Sequence, residues 1–194
     1  MLILASASAR RREMLERVGL TMDAVPADLD ETPRASEDPE GYVARIAAAK
    51  AAVIAARFPE RWVLAADTTV TIDGAILGKA GDGAEASAML RQLSGRTHQV
   101  ITGFAIAGPR AHLQTVTSDV DVIALDPTMV ADYVASDEWR GKAGAYAIQG
   151  IAAAFIRGVR GSVTNIIGLP LVEVLEALRL LGAPGAQLAR GIPS

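Results

Sequence analysis

The 194-residue sequence predicts a mixed α/β fold, a central sheet flanked by helices. Three observations carry this reading. Segments with apolar residues three and four apart alternate with short continuous or alternating apolar runs. The dipeptide Asp73-Gly74 separates two strand-like runs and accepts the positive φ values of a two-residue hairpin, while residues 98–107 and 113–125 read as two long antiparallel strands. Both features argue against a purely parallel sheet. Finally, no G-x-G-x-x-G follows a strand and no G-x-x-x-x-G-K-[ST] occurs, which disfavours the two nucleotide-binding folds built around those loops.

The chain opens with a strand, Leu2-Ile3-Leu4-Ala5, then a Ser-rich loop, Ser6-Ala7-Ser8-Ala9, then Arg10, Arg11 and Arg12. Apolar positions 14, 15 and 18 mark the helix that follows. Cations at a helix start oppose the helix dipole, so an anionic ligand would explain them; a solvated charge run is the other reading. Residues 26–39 are acidic, hold three prolines and read as a loop. Ser36 or Asp38 caps a helix over 40–57 with Val43, Ile46, Val53 and Ile54 on one face. Lys50 falls on that stripe, and either snorkels along the core edge or points its amine at an anion.

Residues 62–66 form a buried strand with Asp67-Thr68 at its carboxyl end. Runs 69–72 and 75–77 form the hairpin, 78–83 a loop, and 84–93 a helix. After the two long strands come a helix at 127–136, short strands at 145–149 and 153–157, and a helix at 169–181 stopped by Gly182 and Pro184. The tail from Gly185 is expected to fray.

Composition removes several function classes. The absence of cysteine excludes disulfides, a thiol nucleophile and a Cys-based metal site; with only His98 and His112, a His-rich site is excluded too. Any metal would be a hard cation on carboxylates, which suits Mg²⁺ or Mn²⁺. A net charge of −3 argues against nucleic acid as partner, and no apolar stretch reaches membrane-spanning length. A cytoplasmic setting is expected.

Asp67 follows five apolar residues. A carboxylate there is costly to bury alone, so it either caps the next turn or does chemistry at the strand end. Glu31 is either solvated or joins Asp67 on a cation. Asp119 and Asp121 share one strand face, toward solvent or toward a cleft. Lys79, within Gly78-Lys79-Ala80-Gly81, sits on backbone flexible enough to bring its amine to a phosphate. Gln149, among the small residues of 142–150, has the paired donor and acceptor that read a base edge. Residues 161–165 add a hydroxyl and amide loop, and His98 is either a general base or a turn-stabilising residue. Cations at Arg10, Arg11, Lys50, Lys79 and Lys142 with carboxylates at Glu31, Asp67 and Asp119 suit phosphoanhydride chemistry: cations neutralise phosphates, carboxylates hold a metal, and one activates water.

The strings Leu4-Ala5-Ser6-Ala7-Ser8-Ala9-Arg10-Arg11, Ala66-Asp67-Thr68-Thr69-Val70, Leu77-Gly78-Lys79, Leu93-Ser94-Gly95-Arg96-Thr97-His98-Gln99-Val100, residues 142–150 and Gly168-Leu169-Pro170-Leu171 resemble, in order, those of the Maf family of nucleoside triphosphate pyrophosphatases. The resemblance implies one domain over residues 1–194 with the fold of the inosine triphosphate pyrophosphatases, two lobes with a cleft. It also implies a homodimer and cleavage between the α- and β-phosphates with a divalent metal. By position, Asp67 matches the acceptor of the water proton. Arg10, Thr68 and Gln149 match base-choosing positions. Ser6, Arg11, Lys50, Lys79 and Glu31 match phosphate- and metal-side positions, with Glu31 and Asp67 as the metal pair.

Thr68 and Gln149 are similar to the branch that prefers dTTP and UTP. The Glu31-Thr32-Pro33-Arg34 stretch is closer to the branch that prefers 7-methyl-GTP. A nucleotide-binding regulator of septum formation without turnover is the alternative role. Ala9 and Ala80 stand where the family often has proline, and residues 137–141 depart from its usual Gly-Glu-Pro-x-Asp.

Overall fold

A computed structural model describes residues 1–183; the tail from Gly185 and Pro184 lie outside the described residues. The elements run β1 (Leu2–Leu4), α1 (Ala9–Arg17), β2 (Met22–Ala24), α2 (Pro39–Arg57), β3 (Trp62–Ile72), β4 (Ala75–Leu77), α3 (Gly83–Leu93), β5 (Thr97–Ala107), β6 (His112–Val122) and α4 (Pro127–Ala135). A 3₁₀ turn (Ile151–Phe155), β7 (Ile156–Arg160), α5 (Val163–Ile167) and α6 (Leu171–Leu181) follow. The seven strands form one sheet in the order β2-β1-β3-β5-β6-β7, with β4 on β3. β1 pairs in parallel with β2 and β3, whereas β3–β4 and β6–β7 are antiparallel, so the sheet is mixed as expected.

Two compact units share this chain, one made of Met1–Asp67, Thr102–Val116 and the segment from Gly168, the other of Thr68–Ile101 and Thr117–Ile167. Each has its own core. In the first, Ile3, Ala5, Val63, Ala65 and Ala105 pack with Ala47, Ala51 and Ile54 of α2. In the second, Val70, Ile72, Val100, Val120 and Val122 pack with Leu90, Leu93, Tyr133, Trp139 and Phe155. Burying these side chains, at about 1.5–3 kcal/mol for each large aliphatic or aromatic one, is what drives both units to fold.

Local chemistry explains the element ends. Asp38, Asp82 and Asp126 accept from the backbone N–H groups of Gly41, Glu85 and Met129, so each N-terminus carries a side-chain cap; Ser36 is not the cap of α2. Asp73 (φ 52°) and Gly74 (φ 78°) make the two-residue turn, with Val70 opposite Leu77 and Ile72 opposite Ala75. Gly182, at φ 72°, ends α6.

Several expected boundaries move. β3 is one strand of eleven residues, so Asp67 stands within it rather than at its carboxyl end. The β-branched run from Thr68 to Ile72 keeps the chain extended, while the last β1 partner is Leu64. Asp67 thus lies just past the parallel pairing. Residues 145–149 form turns, because Gly144 (φ 65°) and Ala145 (φ 58°) leave the strand region, and 153–157 divides between the 3₁₀ turn and β7. Val53 is exposed; the buried stripe of α2 is Val43, Ile46, Ala47, Lys50, Ala51 and Ile54. β2, three residues long and unmarked by apolar alternation, had no sequence signal.

Candidate active site

The Ser-rich loop is organised by α1. Ser8 caps the helix by accepting from Arg11 N at 3.4 Å. Ser6 Oγ accepts from Ser8 N (3.2 Å) and from Arg11 Nη1 (3.2 Å), which leaves its one hydroxyl proton to donate outward. The three arginines divide. Arg12 is exposed and pairs with Glu16, one turn on in α1, at 3.6 Å. Arg10 is half-buried, and desolvation lowers its pKa. Arg11 turns inward, with Nε donating to Gly168 O at 2.7 Å. Burial lowers the Arg11 pKa, and the neighbouring Arg10 adds to this, while Asp67 and Glu31 oppose it. The solvated-run reading therefore holds for Arg12 alone.

Lys50 is buried at 7% exposure, and its amine does not snorkel to solvent. Nζ lies 2.7 Å from Asp67 Oδ1 and 2.8 Å from Glu31 Oε1. Asp67 is also only 7% exposed, whereas the Glu31 side chain is 39% exposed. Two more residues of α2 fix the acidic loop that brings Glu31 in. Tyr42 donates its hydroxyl to Glu31 O (3.0 Å), and Arg45 donates to Thr32 O (3.2 Å) and holds Glu37 Oε2 at 2.6 Å. The Arg45 hydrogen bonds pull the Glu37 pKa down to about 2, and burial with the fields of Asp67 and Glu31 pushes Tyr42 up to about 12. Tyr42 is thus a neutral donor throughout the physiological range.

The other candidates belong to the second unit. Thr68 is half-buried on β3. Lys79 is exposed, and its backbone bridges Ala143. Gln149 is exposed in the turns after Ala145. His98 is buried at 2% and meets Tyr146 Oη through Nε2 at 2.8 Å. Burial lowers its pKa to about 4, with Asp119 and Asp121 opposing, so it is neutral near pH 7. Asp119 pairs with Arg160 at 3.3 Å and accepts from Gln99 at 3.3 Å, so its charge is compensated on the strand face. Lys142 folds onto Arg140 O at 3.1 Å.

The hydroxyl and amide string at 161–165 builds the start of α5. Ser162 Oγ accepts from Asn165 N, and buried Asn165 donates to Val100 O and Ser118 Oγ.

Glu31 and Asp67 aim one oxygen each at a single ammonium, a geometry that also suits a divalent cation. The described residues hold no group of three or more His, Cys, Asp or Glu around a common point. Such a cation would therefore take these two carboxylates plus water and phosphate oxygens, the habit of Mg²⁺. Hard oxygen donors fit Mg²⁺ or Mn²⁺.

The family model described as "Maf-like protein" matches residues 1–181. The chain belongs to the Maf family. This Maf chain is 48% identical to a dTTP/UTP pyrophosphatase of Myxococcus xanthus over 95% of its own length and 94% of that protein's. A dTTP/UTP pyrophosphatase of Cereibacter sphaeroides is 51% identical over 94% of this chain and 96% of its own. Among solved structures, a nucleoside-triphosphatase, dITP/XTP pyrophosphatase, of Mycobacterium abscessus covers 96% of this Maf chain and 99% of its own with 14% identity and a TM-score of 0.47, too loose a likeness to bear on the site. Two side chains around this candidate site were not foreseen. Tyr42 and Arg45 lie on α2 at helical spacing, where an aromatic reads as core and an arginine as surface. A loop eight residues before Arg45 gives no signal that the two will meet.

Proposed function

We propose that this Maf protein hydrolyses dTTP and UTP to the monophosphate and pyrophosphate. The observation that carries the reading is the buried Lys50 amine joining Asp67 to Glu31, with Ser6 and Arg11 on the adjacent helix start. Near-full-length relatives that bear the name dTTP/UTP pyrophosphatase support the substrate, as do Thr68 and Gln149 in the Asp-Thr and Lys-Ala-Gly-x-Tyr-x-Ile-Gln-Gly strings.

Asp67, held through Oδ1 by Lys50, is the carboxylate that accepts a proton from water. The water oxygen forms a bond to the α-phosphorus, the bond from that phosphorus to the α–β bridging oxygen breaks, and pyrophosphate leaves. Arg11, Ser6, Lys50 and Lys79 take up phosphate charge through N–H and O–H donors. Arg10, Thr68 and Gln149 choose the base. Glu31 and Asp67 are the residues that would hold a Mg²⁺ or Mn²⁺, which would supply neutralisation of phosphate charge. In this reading residues 1–194 act as one catalytic domain, working in the cytoplasm as a homodimer, with a nucleotide as partner and neither nucleic acid nor membrane. The net charge of −3 argues against a nucleic-acid partner. No helix among the described residues is long and apolar enough to cross a membrane.

Pyrophosphate release with Mg²⁺ or Mn²⁺ across dTTP, UTP, CTP, GTP, ATP and 7-methyl-GTP tests the proposal. Preference for dTTP and UTP, lost in Asp67→Asn, is the expected result. A 7-methyl-GTP preference would overturn the specificity and keep the chemistry. Nucleotide binding with no release would favour a non-catalytic regulator of cell division.

A further inference from the structure

Gln149 is exposed, so what aims it is the backbone on either side. That backbone starts from an unfavourable conformation: Ala145 has φ 58°, a left-handed region that a residue with a Cβ rarely adopts. Two buried phenols hold it there. Tyr146 Oη lies 2.8 Å from His98 Nε2, with the rings edge-on at 5.4 Å. Tyr133 Oη accepts from Ala147 N at 3.3 Å and donates to Glu138 Oε1 at 3.2 Å. The same Glu138 carboxylate accepts from Ile151 N at 3.0 Å. Fixed points at 146, 147 and 151 thus bracket Gln149 closely on both sides.

The His98 ring is committed to this task. Its Nδ1 is buried with no partner, so Tyr146 is its polar contact, and burial keeps the imidazole neutral above about pH 4. Nor is Tyr146 a spare core residue, since a phenylalanine would fill the same space without ordering the turn.

We infer that Tyr146 with His98, and Tyr133 with Glu138, are positioning residues for base discrimination: they hold the backbone that aims Gln149. This rests on the reading of Gln149 as a base-reading residue. UTP and CTP share sugar and phosphates but reverse the hydrogen-bonding character of the base edge, with O4 as acceptor in one and N4–H₂ as donor in the other. Their kcat/KM ratio therefore reports base reading, and the Gln149→Ala background separates the carboxamide's share from that of Arg10 and Thr68.

The experiment is a double-mutant cycle on the purified full chain, measuring kcat and KM for UTP and CTP in the wild type, Tyr146→Phe, Gln149→Ala and the double variant. Tyr146→Phe is expected to lower the UTP/CTP ratio about tenfold, chiefly through KM for UTP, as loss of one aimed hydrogen bond would. In the Gln149→Ala background the same change should move the ratio less than about twofold, because nothing is left to aim. Tyr133→Phe, which acts from the other anchor, should repeat the pattern and serves if Tyr146→Phe does not fold. A fall in thermal stability with an unchanged UTP/CTP ratio in both phenylalanine variants would overturn the inference. An unchanged ratio in Gln149→Ala alone would instead sink the base-reading role beneath it, so the two failures are told apart.

Discussion

Lys50 Nζ sits 2.7 Å from Asp67 Oδ1, a buried ion pair that ties helix α2 to strand β3, and the same ammonium holds Glu31 at 2.8 Å. One cation among two carboxylates makes this cluster a stability element, and under the proposed function its carboxylates are also the group that acts on water and metal.

Replacing Asp67 by Asn keeps the shape and removes the proton acceptor. Pyrophosphate release should fall by about 10²–10⁴-fold. Calorimetric dissociation constants for dTTP should stay within a few-fold, and a release rate close to the wild type would deny Asp67 its role.

Lys50→Met should be costly to the fold, because it leaves Asp67 buried beside Glu31 without its ion-pair partner, Arg11 being the cation that remains near them. Breaking a buried pair in this way costs about 3–5 kcal/mol, read from urea unfolding. Adding Glu31→Gln should recover part of that loss by removing the second carboxylate. A double variant no more stable than Lys50→Met would show that the repulsion is not the cause.

His98 gives stability a pH dependence. Its folded pKa of about 4 lies below the ordinary 6.5, so between these values the unfolded chain binds a proton that the folded one refuses. Its contribution is complete above pH 6.5 and is lost as the pH falls toward 4. The loss approaches about 3 kcal/mol at most. Comparing urea midpoints of wild type and His98→Gln at pH 7.5 and pH 5 should show a steeper acid loss in the wild type; equal slopes would count against a buried neutral imidazole.

Ala9 is the first residue of α1, and Ser8 before it is already extended, at φ −72° and ψ 111°. Proline suits that position and that predecessor. Ala9→Pro should add about 0.4–1 kcal/mol by stiffening the unfolded chain, seen as a raised melting temperature, with KM for dTTP unchanged or lower.

Chelation by EDTA should abolish turnover, and Mg²⁺ or Mn²⁺ should restore it. Glu31→Gln should raise the metal concentration needed for half-maximal rate. Full activity in EDTA would remove the metal from the proposal.

The features legible along the chain were local ones. Asp73-Gly74 specified its turn because only that backbone chemistry accepts two positive φ values. For α2 the sequence narrowed the cap to Ser36 or Asp38, and Asp38 takes it by accepting from an N–H three residues ahead, as Asp82 and Asp126 do for α3 and α4. Lys50 on an apolar stripe marked an unusual lysine but left open whether its amine snorkels or meets an anion. The Ser-rich loop beside three arginines announced an organised helix start, though not which arginine would turn inward.

The tertiary structure decided what those groups meet. Only the fold brings Lys50 to Asp67, Tyr42 to the Glu31 carbonyl and His98 to Tyr146. It also overrode the strand signal at 145–149, where two left-handed residues turn the chain and the phenols of Tyr133 and Tyr146 hold it. Propensity and periodicity are sums over neighbours along the chain. A hydrogen bond between residues 11, 17 or 48 positions apart depends on how the packed elements cross, and propensity and periodicity do not contain that information.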